Sequence, residues 1–128
     1  MNSLTIGSLT LRFRSRRGCE DLTTEFMEVI RKYKDSIRAA LRDMDGTPTE
    51  LDVVVTHRID EAGRIAGKFS PFKGIALNKE WFMKLKQSCV DVEAAHYEMM
   101  RIFLHELAHW RTRDEDEADE WASEWQTA

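Results

Sequence analysis

The stretch that decides how this chain is read is Phe103–Trp125, FLHELAHWRTRDEDEADEWASEW. It carries two histidines four residues apart, His105 and His109, with Glu106 directly after the first. On an α-helix, residues at i and i+4 stand one above the other on the same face. Two imidazoles so placed can close on one Zn²⁺ ion at nitrogen–metal distances of about 2.0–2.1 Å. The HExxH order also sets the Glu106 carboxylate beside the pair, where it can take a proton from water and return it to a leaving amine. The competing reading is an acidic surface helix that happens to carry two histidines. The surroundings argue against it: Val92, Ala95, Met99, Ile102, Phe103, Leu107 and Trp110 recur at helical spacing and give the segment an apolar face to bury.

A catalytic zinc site has three protein ligands and one open position. No histidine follows His109. His96 precedes His105 by nine residues on the same helix, too far along its axis to share an ion. His57 falls at the end of a strand pattern and is expected at a structural or rim position. The third ligand is therefore expected to be a carboxylate from the last helix, which Asp114 or Thr112 can cap. On a helical wheel Ala118, Trp121, Ala122 and Trp125 form its apolar stripe, and the tryptophans are expected in the core. Glu117 flanks that stripe one turn before Trp121, and Glu115 flanks the opposite edge. Asp116, Asp119 and Glu120 point mostly outward. Spacing leaves Glu117 and Glu115 both open.

Upstream of the motif the patterns alternate between strand and helix. SLTLRFRS (Ser8–Ser15) sets Leu9, Leu11 and Phe13 against Thr10, Arg12 and Arg14, a half-buried strand. From about Glu20 to Arg42 the steps become three and four, through Leu22, Phe26, Val29, Ile30, Tyr33, Ile37 and Leu41, an amphipathic helix. MDGTPTE is a turn, LDVVVTHRI a β-branched central strand, and DEAGR a second turn. IAGKFSPFKGIALN suggests one or two short strands around Pro71, of which KGIALN is the clearer. Asn78 can cap a short helix from Lys79 to about Lys86. SCVD, beginning at Ser88, reads as the start of the HExxH helix. The fold class expected is α+β and zincin-like. A small, mostly antiparallel sheet packs on the HExxH helix, with an N-terminal helix and a C-terminal glutamate helix, in a single domain over residues 1–128.

The 128 residues are 42% hydrophobic and 33% charged, enough to bury a core without disulfide staples. No apolar run is long enough to span a bilayer, and the N-terminus lacks the pattern of a signal peptide, so a cytoplasmic protein without membrane contact is expected. Cys19 and Cys89 are far apart and form neither a CxxC metal motif nor a disulfide framework. The net charge of −4 is unevenly spread. Residues 1–42 hold nine Lys/Arg against five Asp/Glu, and residues 114–128 hold seven acids and no base. A basic head can contact nucleic acid or an acidic partner. A solvated helix face with a charge-guarded strand edge is the favoured reading, and nucleic-acid contact is only weakly supported.

FLHELAHW followed by EDEADEWA resembles the ImmA/IrrE-type zinc peptidases of the zincin group. Their pattern is HExxH and then a second helix with an E-A-D/N-x-aromatic-A segment, here Glu117 to Ala122. The resemblance covers roughly Gly74 to Trp125. It implies zinc as cofactor, His105, His109 and Glu117 as its ligands, and Glu106 as general base. Two features depart from the family: only seven residues separate His109 from Glu117, and no partner DNA-binding or sensor domain is expected. The crosslink-repair proteases of the SprT-like kind share HELAH but add a third histidine, absent here. The resemblance further implies that KGIALN borders the cleft and offers a free edge to an extended peptide. The function expected is a zinc-dependent peptidase acting on a protein or peptide substrate. The alternative is a zincin-fold binding module, an adaptor, inhibitor or anti-restriction-type effector, that keeps its metal for structure.

Overall fold

A computed structural model of the chain describes residues 2–44, 46, 49–60, 64–71 and 73–127. The turns expected in MDGTPTE and DEAGR fall partly on Asp45, Thr47 and Pro48 and on Glu61, Ala62 and Gly63, which lie outside the described residues. Among the described residues the elements are β1 (Asn2–Ile6), β2 (Leu9–Ser15), α1 (Glu20–Lys32), α2 (Lys34–Asp43), β3 (Glu50–Thr56), β4 (Gly67–Ser70), β5 (Gly74–Asn78), α3 (Lys79–Ser88), α4 (Val92–Ala108) and α5 (Glu115–Gln126).

The class is α+β, as expected. The sheet order is β1-β2-β3-β5-β4. Its two outer pairings, β1 with β2 and β4 with β5, are antiparallel, and the two central pairings are parallel. The β1–β2 hairpin turns through Gly7 and Ser8, with Gly7 at φ +58°. Alternation then sorts the two faces. Leu9, Leu11, Phe13, Leu51, Val53, Val55, Ile75 and Leu77 are buried against the helices. The opposite face presents Arg12, Arg14, Val54, Thr56, Lys68, Ser70 and Ala76, none of them buried. All five helices contribute to one core cluster, in which Phe26 of α1 meets Phe82 of α3 edge to face at 4.8 Å.

Several boundaries differ from the sequence reading, each for a local reason. The long helix expected from Glu20 to Arg42 divides at Tyr33 (φ −107°, ψ 32°), so that α1 packs on β2 and β3 while α2 packs on β1 and α5. Ser88 closes α3 instead of opening α4: its hydroxyl turns back to the Leu85 carbonyl at 2.9 Å. Asp91 caps α4, accepting from the Ala94 amide at 2.8 Å. Asn78 caps α3 as expected, accepting from the Trp81 amide. KGIALN does form a strand, β5, but it has no free edge. It is paired on both sides, with β3 and with β4, and β4 is the edge strand. Gly74 permits this close pairing. Its φ is +89°, and a Cβ there would stand 2.1 Å from the Asp52 carbonyl oxygen.

Candidate metal centre

His105 and Glu106 lie in the last turn of α4, and His109 is its C-cap. The chain then turns sharply, with Trp110, Arg111 and Thr112 donating to the carbonyls of Leu107, Ala108 and Ala108. Asp114 caps α5 by accepting from the Glu117 amide at 3.0 Å. This short link returns α5 to α4 because it is pinned from the far side by the end of α2. The Arg111 guanidinium donates to the Asp43 carbonyl at 2.7 Å, and the Trp125 indole donates to the Asp43 carboxylate at 2.8 Å. Arg111 also covers the ring of Trp121 at 5.1 Å. Ala118 and Ala122, both fully buried, keep the α4–α5 contact close.

The result is a convergence of three side chains, His105, His109 and Glu115. His105 Nε2 and His109 Nε2 are 3.1 Å apart. Glu115 approaches the first at 2.8 Å through Oε2 and the second at 3.1 Å through Oε1. Tetrahedral donors at zinc distances stand about 3.3 Å apart, so this spacing lies within a few tenths of an ångström of a ligand set.

The other ring nitrogens test the fit independently. His109 Nδ1 is 2.8 Å from the Thr112 carbonyl, and His105 Nδ1 is 2.7 Å from the Asp119 carboxylate. A carbonyl and a carboxylate only accept, so each Nδ1 donates. In the neutral rings both Nε2 lone pairs are then directed at one another and at the Glu115 oxygens. Such a meeting of lone pairs is stabilised by a cation at its centre, and outer acceptors on the distal ring nitrogen are the usual support of metal-binding histidines. The cluster is suited to a divalent metal such as Zn²⁺.

Glu117 does not belong to this cluster. It sits two residues from Glu115, about 200° around the helix, so the two cannot face α4 together. The resemblance implied Glu117 and spacing left Glu115 open; it is Glu115 that reaches the histidines. Asp119, expected to point outward, faces His105 and is also 3.6 Å from Arg101. The signal for it was present in the sequence. Glu115 and Asp119 are four apart, the same one-turn spacing as His105 and His109. The remaining histidines lie elsewhere: His57 donates to the Arg17 carbonyl at 2.7 Å, and His96 contacts Glu25 at 3.0 Å.

Glu106 is buried, only 7% exposed, beneath Gly67 of β4. Burial pushes its carboxyl above the usual range; His105 and His109 oppose that push, and Glu115 and Asp119 add to it. A Cβ at position 67 would lie 3.0 Å from Glu106 Cγ, so glycine is what leaves the carboxylate its place. Beside these groups lies a cleft of about 690 Å³. One wall is Ile65 to Pro71, and the other is the turn Trp110–Arg113. Phe69 and Trp110 meet edge to face across it at 5.9 Å.

The β4 wall also exposes backbone. The Asn78 amide donates to the Ala66 carbonyl at 2.9 Å, which makes this pair a hydrogen-bonded one. Such pairs recur every second residue in an antiparallel ladder. Lys68 and Ser70 therefore bond to β5, while Gly67 and Phe69 turn their N–H and C=O outward along an edge that has no partner strand among the described residues. No family model, curated protein or solved structure matches this chain.

Proposed function

We propose that the chain is a zinc-dependent peptidase that hydrolyses a peptide bond of a protein partner. The observation that carries this reading is the His105–His109–Glu115 convergence opening onto a cleft that also holds Glu106. His105 Nε2, His109 Nε2 and Glu115 would hold the ion, a donor set that favours zinc. When bound, zinc supplies a Lewis acid for the scissile carbonyl oxygen and renders water nucleophilic at neutral pH.

The chain's own residues do the rest. Glu106 takes the proton of the attacking water and passes it to the leaving amine. Asp119 and the Thr112 carbonyl hold the two imidazoles in the tautomer that offers Nε2. The outward amides and carbonyls of Gly67 and Phe69 accept an extended peptide as a sixth strand, main chain to main chain. Gly67 touches Glu106, so a strand paired there runs past the general base. The resemblance to the ImmA/IrrE-type zinc peptidases supports the same chemistry, with Glu115 in the role that the family pattern would give to Glu117.

One observation favours a second reading. The same three ligands tie α5 to α4, so a metal could serve as a staple in a binding module. The two readings separate in one experiment. Zinc-loaded protein and Glu106→Gln should each contain one zinc per chain, and the variant should cleave a susceptible protein about 100-fold more slowly or less. A variant as fast as the parent removes Glu106 from the mechanism. A parent that holds zinc and cleaves nothing leaves the staple.

A further inference from the structure

The cleft has a charge pattern of its own. Among the described residues lining it, the acids are Glu106 and Glu115, both at the metal site, and every other charged side chain is a cation: Lys68, Arg111 and Arg113. Arg111 is engaged with Asp43 and Trp121. Lys68 and Arg113 have no ion-pair partner among the described residues. The chain as a whole carries −4, so this cationic lining runs against its composition. Lys68 has a second setting. It also borders a trough of about 420 Å³ on the open face of the sheet, with Arg16, Ser70 and Lys73 around a floor of Val54, Thr56, Gly74 and Ala76. The acids on that face, Glu50 and Asp52, lie on β3 and are engaged by Arg12 and Arg14.

From this we infer a substrate class: the protein selects extended segments that carry acidic side chains at alternate positions and apolar ones between. The inference rests on the peptidase reading for the strand's position and goes beyond it in naming what the strand must carry. A strand added beside β4 places successive side chains on opposite faces. Residues opposite Gly67 and Phe69 lie on the helix side, toward Glu106 and the Phe69–Trp110 wall. The residue opposite Lys68 lies on the open side, beside the Lys68 ammonium. Lys68 makes its own ladder bonds to β5, so in an antiparallel arrangement it faces the incoming strand across a non-hydrogen-bonded pair, where side chains approach most closely. The next open-side position along β4 is Ser70, beside which Lys73 stands. Arg113 stands across the cleft on the helix side, so Lys68 and Lys73 are the cations that the acidic positions meet. Nucleic acid fits less well. Among the described strand residues the open face has no aromatic side chain on which a base could stack.

The test uses zinc-loaded, full-length Glu106→Gln, which should bind without turnover. The probes are fluorescent nine-residue peptides alternating Leu with Glu, the same with Lys or Gln for Glu, and a Leu/Glu scramble that breaks the alternation. Cross-strand charge pairs are individually small and screened by salt, so the two on the open side should favour the Glu peptide over the Lys peptide by roughly five-fold, less at high salt. The scramble should bind more weakly than the alternating peptide. Adding Lys68→Glu should remove or invert the preference, and Lys68→Ala should weaken it. Equal binding of the Glu and Lys peptides, binding of none, indifference to Lys68→Glu, or tighter binding of a single-stranded oligonucleotide would each overturn the inference. Failure of the peptidase reading shows separately, as zinc-loaded parent that binds the Glu peptide and leaves it uncut.

Discussion

Replacing Glu115 and Glu117 one at a time with alanine measures which acid completes the metal site. Zinc held by four protein ligands in small folded domains is worth about 10–16 kcal/mol, or roughly 3 kcal/mol per ligand. Glu115 reaches both Nε2 atoms, yet its side chain is 74% exposed, so water can take its place when it is lost. That lowers the expected cost to about 1.4–3 kcal/mol, a zinc Kd weaker by roughly 10- to 100-fold. Glu117 lies on another side of α5 and acts on the ion only through screened, long-range charge. Glu117→Ala should change the Kd by less than about two-fold. Competition against a chromophoric chelator at physiological ionic strength gives both constants, and far-UV circular dichroism checks that α5 persists. The variant lacking Glu115 should also lose most of the rise in melting temperature that zinc gives the parent. If Glu117→Ala weakened zinc as much as Glu115→Ala, the ligand set drawn from this geometry would be wrong.

Gly67→Ala brings a methyl group to 3.0 Å from Glu106 Cγ and 3.4 Å from the Ala76 carbonyl oxygen. On the peptidase reading proposed above, it should displace the Glu106 carboxylate by a few tenths of an ångström and lower kcat by about ten-fold, with zinc content unchanged because His105, His109 and Glu115 are not touched. A kcat equal to the parent's would show that Glu106 does not need this place. The Glu25 carboxylate joins α1 to Lys86 of α3 at 2.6 Å and His96 of α4 at 3.0 Å. Burial pushes its pKa up, but the hydrogen bonds from Lys86 and His96 outweigh burial and leave it below the usual value. A depressed folded-state pKa contributes stability above the unfolded value, about 4.3, and that stability is lost as pH falls through the folded-state pKa. Glu25→Gln should therefore cost about 1–2 kcal/mol in urea unfolding near pH 7, and the gap to the parent should close progressively below about pH 4. A gap constant from pH 7 to pH 3 would refute the linkage.

The elements most open to sequence reading were those whose local pattern and tertiary setting agree. LTLRFRS alternates because one face of the sheet is covered and the other is not, and LDVVVT is β-branched because it lies in the middle of the sheet. The HExxH helix keeps its helical period because it lies in the core. The division at Tyr33 had no such signal: neither glycine nor proline marks it, and the periodic apolar positions continue through it. What separates α1 from α2 is the demand of two different surfaces, β2 and β3 for one and β1 and α5 for the other. The edge position of β4 was hidden for a related reason. KGIALN is the more apolar of the two short segments, and its burial pattern is that of a strand paired on both sides. GKFS, with Lys68 and a half-buried Phe69, has the charge of an edge strand, but four residues are too few to show it.

The site divides in the same way. The one-turn spacing of His105 and His109, with Glu106 between them, was legible because it is internal to one helix, and a helix fixes its own geometry. Which acid meets the two histidines is a relation between two helices, and a wheel cannot supply it. The apolar stripe of α5 has two edges, Glu117 on one and Glu115 with Asp119 on the other. Which edge meets the histidines depends on the side from which α5 approaches α4. That side is set by Arg111 and Trp125, which both bond to Asp43 at the end of α2, more than sixty residues earlier in the chain. Loosening this anchor should therefore act at a distance. Trp125→Phe keeps the buried ring and removes the indole N–H that Asp43 accepts. If the anchor orients Glu115, the variant should weaken zinc several-fold while His105→Ala in the same background still abolishes what binding remains. Unchanged zinc affinity in Trp125→Phe would mean that Ala118 and Ala122 packing alone aims the helix.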